Sequence, residues 1–120
     1  MDPTPEEIAT AFSTHLFAET YPYLLDDVRW NLVGDQQVTG REAVMRICES
    51  TAEGLSDVTT RFVTLRTVVG EDGVVVASEA EYVGESGETS TVASCDLFDF
   101  SNGRVARITS YTVELSRPAE

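Results

Sequence analysis

Basic residues are scarce in this 120-residue chain: 8 against 21 acids, for a formal net charge of −13. That balance excludes polyanionic partners as a class, since a nucleic acid or an anionic membrane surface would be repelled; no nucleic-acid and no membrane partner is expected. Every basic residue is arginine, and the absence of lysine points to no function. Cysteine occurs only as Cys48 and Cys95, which match no metal-ligand spacing, so the expectation is two reduced, buried thiols, no metal and no cofactor. No apolar run is long enough to span a bilayer and no secretory leader precedes the first helical pattern, so the chain reads as soluble and cytoplasmic. Only 4 prolines accompany 42% apolar residues, which argues against disorder. A chain of this length can bury a modest core without staples, and no linker or repeat divides it, so residues 1–120 read as one domain.

Helical patterns come first. Thr4-Pro5-Glu6-Glu7 is a helix start with a capping hydroxyl, proline at the first position and acids in the first turn. Ile8, Ala11, Phe12, His15 and Leu16 then recur at helical spacing. A short second helix is expected around Tyr21 to Leu25, then a strand from Val28 to Val33. A further helix opens at Thr39-Gly40-Arg41-Glu42, with Ala43, Val44, Ile47, Cys48 and Thr51 as its apolar stripe, and stops near Gly54. From Val58 onward the period is two, giving strands at about 58–69, 73–83, 89–100 and 104–115 separated by turn-rich tripeptides and tetrapeptides. Helices gathered before an antiparallel meander imply an α+β layer fold.

One hairpin carries the chemical interest. Ser101-Asn102-Gly103 is a tight-turn signal, and on the strand before it Asp96 shares a face with Phe98 and Phe100. A carboxylate on an apolar strand face is costly unless it is paired, protonated or open to a pocket, which makes Asp96 a pocket candidate.

The order of elements, with Asp26-Asp27-Val28-Arg29-Trp30, Gly40-Arg41-Glu42-Ala43-Val44 and Phe98-Asp99-Phe100-Ser101-Asn102-Gly103-Arg104-Val105, resembles the nuclear transport factor 2-like superfamily, and within it the SnoaL-like group. The resemblance runs from about Ile8 to Leu115. It implies a cone-shaped, cystatin-like roll in which N-terminal helices pack on a curved antiparallel sheet around a pocket for a small hydrophobic or amphipathic molecule. It also implies a homodimer formed through the sheet, whose outer face is expected to present Val74, Val76, Tyr82, Leu97, Tyr111 and Val113. The scaffold hosts enzymes and non-enzymatic binders alike, so fold alone does not set the chemistry.

Matching the strands to the family turns Asp96, Phe98 and Phe100 inward on one strand and Ala106, Ile108, Ser110 and Thr112 on the next. On the strand before these, Ala77, Glu79, Glu81 and Val83 are expected inward; a register shifted by one residue would turn Ser78, Ala80 and Tyr82 inward instead. Asp96 falls where ketosteroid isomerases of the superfamily keep an oxyanion-binding aspartic acid, but their tyrosine position matches Phe12 and their base position Asn31 or Leu32. The aspartate–arginine–aspartate relay of limonene epoxide hydrolase-like members matches Glu81, Glu79 and Ser110, so its central cation is missing. Ser110 also stands where SnoaL-like cyclases carry their base. The candidate catalytic residues are therefore Asp96 as acid or oxyanion partner, with His15 or Glu81 as base. Candidate ligand contacts are Phe12, Tyr21, Trp30, Asn31, Glu79, Phe98, Ile108 and Ser110. Two functions remain open: an isomerase- or cyclase-type enzyme acting on an amphipathic carbonyl compound, or a non-catalytic ligand-binding or dimeric assembly module.

Overall fold

A computed structural model describes residues 2–115. Helix α1 (Pro5–Ser13) begins with reciprocal capping bonds: Thr4 Oγ1 accepts from the Glu7 N–H at 3.1 Å, and Glu7 Oε1 accepts from the Thr4 N–H at 2.8 Å. Its end is less ordinary. The His15 N–H donates to the Phe12 carbonyl at 3.1 Å and the Leu16 N–H to the Ala11 carbonyl at 2.8 Å, the two bonds of a Schellman ending. The left-handed position that glycine usually fills in that motif is His15, at φ 71°. A β-carbon there costs roughly 1 kcal/mol. Along α1, Ile8, Ala9, Phe12 and Ser13 are buried, whereas Leu16, expected on the apolar face, lies beyond the helix and is exposed.

The helix expected around Tyr21 is instead a pair of single 3-10 turns, Phe17–Glu19 and Tyr21–Tyr23. Pro22 has no N–H with which to extend a longer helix, and the chain becomes extended at Leu24. Strand β1 (Leu24–Leu32) turns back on β2 (Gln36–Thr39), a short strand whose polar Gln-Gln start carries no alternating pattern. Helix α2 (Arg41–Gly54) follows, burying Val44 and Cys48. Then come β3 (Thr59–Val69), β4 (Gly73–Val83), β5 (Thr89–Ser101) and β6 (Arg104–Leu115).

These strands form one 6-stranded sheet in the order β2-β1-β6-β5-β4-β3. All neighbours are antiparallel except β1 and β6, which run parallel. The β5–β6 hairpin turns at Asn102 (φ 52°) and Gly103 (φ 80°), the pair of left-handed residues such a turn needs. Two helices packed on one face of this mostly antiparallel sheet give the expected cone-shaped α+β architecture.

Register decides which side chains face the helices. On β4 the buried positions are Val74, Val76, Ser78 and Ala80, so Ala77, Glu79, Glu81 and Val83 do not face inward as expected. The sheet register agrees, pairing Val76 with Asp96 and Ser78 with Ser94. Two buried glutamates would carry a desolvation cost that valine and serine avoid, and the strand settles in the register that leaves both carboxylates on the outer side. Val74 and Val76 consequently belong to the core rather than to the outer face, where Leu97, Tyr111 and Val113 remain exposed. A bulge between Asp99 and Phe100 shifts the hairpin phase and puts Val105, not Ala106, in the core.

The core joins α1, β1 and the inner sheet face. Phe12 meets Phe17, Trp30 and Phe98 edge-on at centroid distances of 5.1, 5.1 and 5.7 Å. Phe98 and Ile108 lie behind this group and are completely enclosed.

Candidate functional site

A cavity of ≈ 290 Å³ opens between the end of α1, the first 3-10 turn, Thr51 of α2 and the inner faces of β1 and β3–β6. Phe12, Phe17, Trp30, Phe62 and Tyr82 supply most of its wall, and Leu32 and Val92 complete the apolar part. Polar groups from three elements converge at one end: Ser13 and His15 from the α1 terminus, Asp96 from β5 and Ser110 from β6. An apolar wall with a few convergent polar groups is the usual architecture of a small-molecule site.

Asp96 is the centre of the polar end. The Ser13 hydroxyl donates to Asp96 Oδ2 at 2.8 Å, and the Ser110 hydroxyl is hydrogen-bonded to the same carboxyl group. Ser110 also accepts from the Trp30 Nε1–H at 2.9 Å. The chain of donors therefore runs from the indole to Ser110 and from Ser110 to Asp96, whose carboxylate can only accept. Burial pushes the Asp96 carboxyl above its ordinary pKa, against the pull of the Ser110 and Ser13 hydroxyls and of His15.

His15 stands beside Phe17, Phe62 and Tyr82, with ring centroids 5.6, 5.7 and 6.1 Å away. Burial lowers its pKa, and Asp96 partly offsets that shift. A histidine in this setting is uncharged at neutral pH. The Schellman ending explains its aim: a left-handed residue reverses the chain after α1 and turns its side chain back over the sheet. Tyr82 faces the same space, its hydroxyl held protonated by burial and by the Asp96 charge.

Of the expected site residues, Asp96, His15, Phe12, Trp30 and Ser110 line this one cavity. Phe98 and Ile108 do not; they are packed behind the wall with no free surface. Asn31 lies on the outer face with Arg29, Gln37 and Thr109, because Trp30 and Leu32 take the inward positions of β1. Tyr21 packs on the far side against α2, where its hydroxyl bonds to Glu49 and its pKa is pushed up to about 12, chiefly by burial. Glu81 pairs with Arg61 across the outer face at 3.1 Å, and Glu79 shares that face with Thr64, Arg66 and Ala93.

Ser13 was not expected at the site, nor were Phe62, Ser94 and Thr51, whereas Ser78 and Tyr82 enter through the alternative register of β4. A signal for Ser13 was present: one turn after Ala9, it is a hydroxyl on the buried face of a helix. Phe62 had none, because a bulge between Phe62 and Thr64 breaks the alternation that would have assigned its side. Both cysteines are free; Cys48 is buried, its thiol pushed up to about 12 by that burial and by Glu49, whereas Cys95 is only half-buried, on the outer face opposite Tyr111. Among the described residues, no helix is long and apolar enough to cross a membrane.

Comparison with known proteins places this geometry among relatives. The model of the SnoaL-like domain matches residues 6–108. An NTF2-like protein of unknown function from Cytophaga hutchinsonii superposes with a TM-score of 0.77 at 26% identity, covering 88% of this chain and 93% of that one. A proposed polyketide cyclase from Xanthomonas campestris superposes with a TM-score of 0.70 at 16% identity, over 87% and 83% of the two chains. An LEH-like epoxide hydrolase from M. tuberculosis gives 0.67 at 16% identity, over 90% and 78%. No curated protein matches the chain.

Proposed function

The chain belongs to the SnoaL-like domain family, and from that premise we propose that its cavity binds a small amphipathic carbonyl compound and moves a proton on it, as an isomerase or cyclase does. One observation carries the reading: Asp96 and His15 face the same aromatic-walled cavity with the Asp96 carboxylate oriented by Ser13 and Ser110. Asp96 has the raised basicity of a buried carboxylate. This exchanges the roles expected from the resemblance, with Asp96 as the base and His15 as an oxyanion donor: Asp96 takes a proton from the carbon beside the carbonyl, and the C–H electron pair becomes the enolate, whose oxygen is held by an N–H of His15 or the O–H of Tyr82. Protonated Asp96 is then the acid that returns the proton. Glu79 and Glu81, directed to the outer face, have no part in this step.

The test needs no natural substrate. Deuterium exchange at the carbon beside the carbonyl of α-tetralone, followed by proton NMR in D2O, should run faster with the protein than in buffer. Asp96→Asn should slow it by about a hundredfold. Exchange that never exceeds the buffer rate, in a protein that still binds the ketone, would leave the second reading: a ligand-binding module in which Ser13 and Ser110 merely satisfy a buried carboxylate.

The homodimer expected through the sheet is part of the same proposal. Leu97, Tyr111, Val113 and Leu115 lie exposed on the central strands β5 and β6, an apolar surface that no described element covers. Light scattering should give twice the chain mass, falling to the monomer value for Val113→Glu; a monomeric wild type rejects the interface.

A further inference from the structure

Among the described residues, the lining of the cavity contains one carboxylate, Asp96, and neither an arginine nor a lysine. Arginines 29, 41, 46, 61, 66, 104 and 107 all lie outside it among the described residues. His15, the one basic side chain among the described lining residues, is held uncharged at neutral pH by burial, so no cation there offsets a carboxylate or phosphate on a ligand, and the −13 charge of the whole chain opposes its entry. The wall suits the opposite kind of molecule, since Phe12, Trp30, Phe62 and Tyr82 line it and aromatic side chains attract uncharged rings and organic cations.

Size narrows the class further. A cavity of about 150 Å³ holds a benzene molecule, so the ≈ 290 Å³ here admits roughly a dozen non-hydrogen atoms. The hydrogen bonds around Asp96 set the polarity at its end. Trp30 donates to Ser110, and Ser110 and Ser13 both donate to Asp96, so the carboxylate presents only acceptor positions to the ligand.

We infer that the cavity selects compact mono- or bicyclic molecules that are uncharged or cationic, and rejects both anionic and tetracyclic ones. This rests on the reading of the cavity as the binding site, and not on any reaction occurring there.

Trp30 supplies the assay. It is the sole tryptophan and lines the cavity, so its fluorescence reports occupancy directly. Titrations of the wild-type protein would compare α-tetralone, an aminotetralin, a tetralin carboxylate and the tetracyclic ketone androstenedione. The ketone and the amine should change the emission at submillimolar concentration, and the carboxylate should bind at least tenfold more weakly than either. Androstenedione should not saturate within its solubility. In Asp96→Asn the handicap of the carboxylate should shrink, while the exclusion of the tetracyclic probe should persist.

Equal affinity for the carboxylate and the ketone would overturn the charge selection. Saturable binding of androstenedione would overturn the size limit, and silence from the ketone and the amine alike would overturn both. Proton exchange plays no part in these titrations, so a protein that binds in the stated order without exchanging protons refutes the enzymatic reading and leaves this one standing.

Discussion

Ser110→Ala is the substitution whose consequence follows most directly from the geometry. The Ser110 hydroxyl does two things: it accepts from the Trp30 indole at 2.9 Å and it donates to Asp96. Ser13 does only the second, at 2.8 Å. Truncating either serine removes one donor from a buried carboxylate, but only Ser110→Ala also leaves an indole N–H without a partner in an environment where Trp30 is 7% exposed. An orphaned buried donor costs about 1–3 kcal/mol, so Ser110→Ala should be less stable than Ser13→Ala by that amount. For a domain of this size the gap is about 4–12 °C in Tm.

The pH dependence separates the two contributions. Asp96 has a native pKa raised by burial, so the native state binds its proton more readily than the unfolded chain does. The stability this gives is complete below the unfolded value and is lost as pH rises through the native one. The lost hydroxyls stabilise the carboxylate specifically, and the deficit of each variant should therefore shrink as the solution is acidified through the Asp96 titration. The indole contribution does not titrate, so a gap between the variants should persist after Asp96 is protonated, even as the part due to the stronger Ser110 bond to the carboxylate fades. Urea denaturation at a series of pH values, monitored by circular dichroism, measures both. A gap that vanishes at neutral pH, or deficits that grow on acidification, would refute the assigned direction of the Trp30–Ser110–Asp96 chain.

Further outcomes follow from the same site. His15 should titrate below 6.5 by NMR, and lower still in Asp96→Asn, because the charge that raises its pKa is then gone; a rise in the variant would place the two groups out of electrostatic reach. The His15 contribution to stability is accordingly present above 6.5 and lost as pH falls through its native value. His15→Gly should be about 1 kcal/mol more stable than His15→Ala in thermal melts, since φ 71° suits glycine alone; equal melts would mean that the left-handed ending exerts no strain. Glu81→Gln should lower stability by less than about 1 kcal/mol and leave proton exchange on α-tetralone unchanged, as its ion pair with Arg61 is on the outer face. A loss of exchange there would contradict the observed register of β4.

Much of the architecture was legible because it is written in local chemistry. The Thr4-Pro5-Glu6-Glu7 cap starts a helix wherever the chain goes, Asn102-Gly103 supplies the two left-handed residues of a hairpin, and the long alternating runs after Val58 can only be strands. Asp96 could be singled out for the same reason, as an acid in phase with Phe98. What escaped was set by pairing at a distance. β2 has no pattern of its own and exists because β1 offers an edge. The side on which Glu79 and Glu81 lie depends on a one-residue choice of register: the alternation Glu-Ala-Glu-Tyr makes the Ala80 and Tyr82 face the more apolar, but the match to the family turned the glutamates inward, and only strand pairing decides between the two.

Local pattern in the chain settles the order of elements, the α+β class, the turn that closes the last hairpin and the presence of one carboxylate on a strand face destined for the interior. What surrounds that carboxylate depends on contacts between distant segments. Ser13 comes from a helix 83 positions away, Ser110 from a neighbouring strand, and His15 from a helix ending that bends it back over the cavity. Periodicity reports which way a side chain points from its own backbone, whereas a site depends on which backbones are brought face to face, and that is settled by burial of the whole core at once.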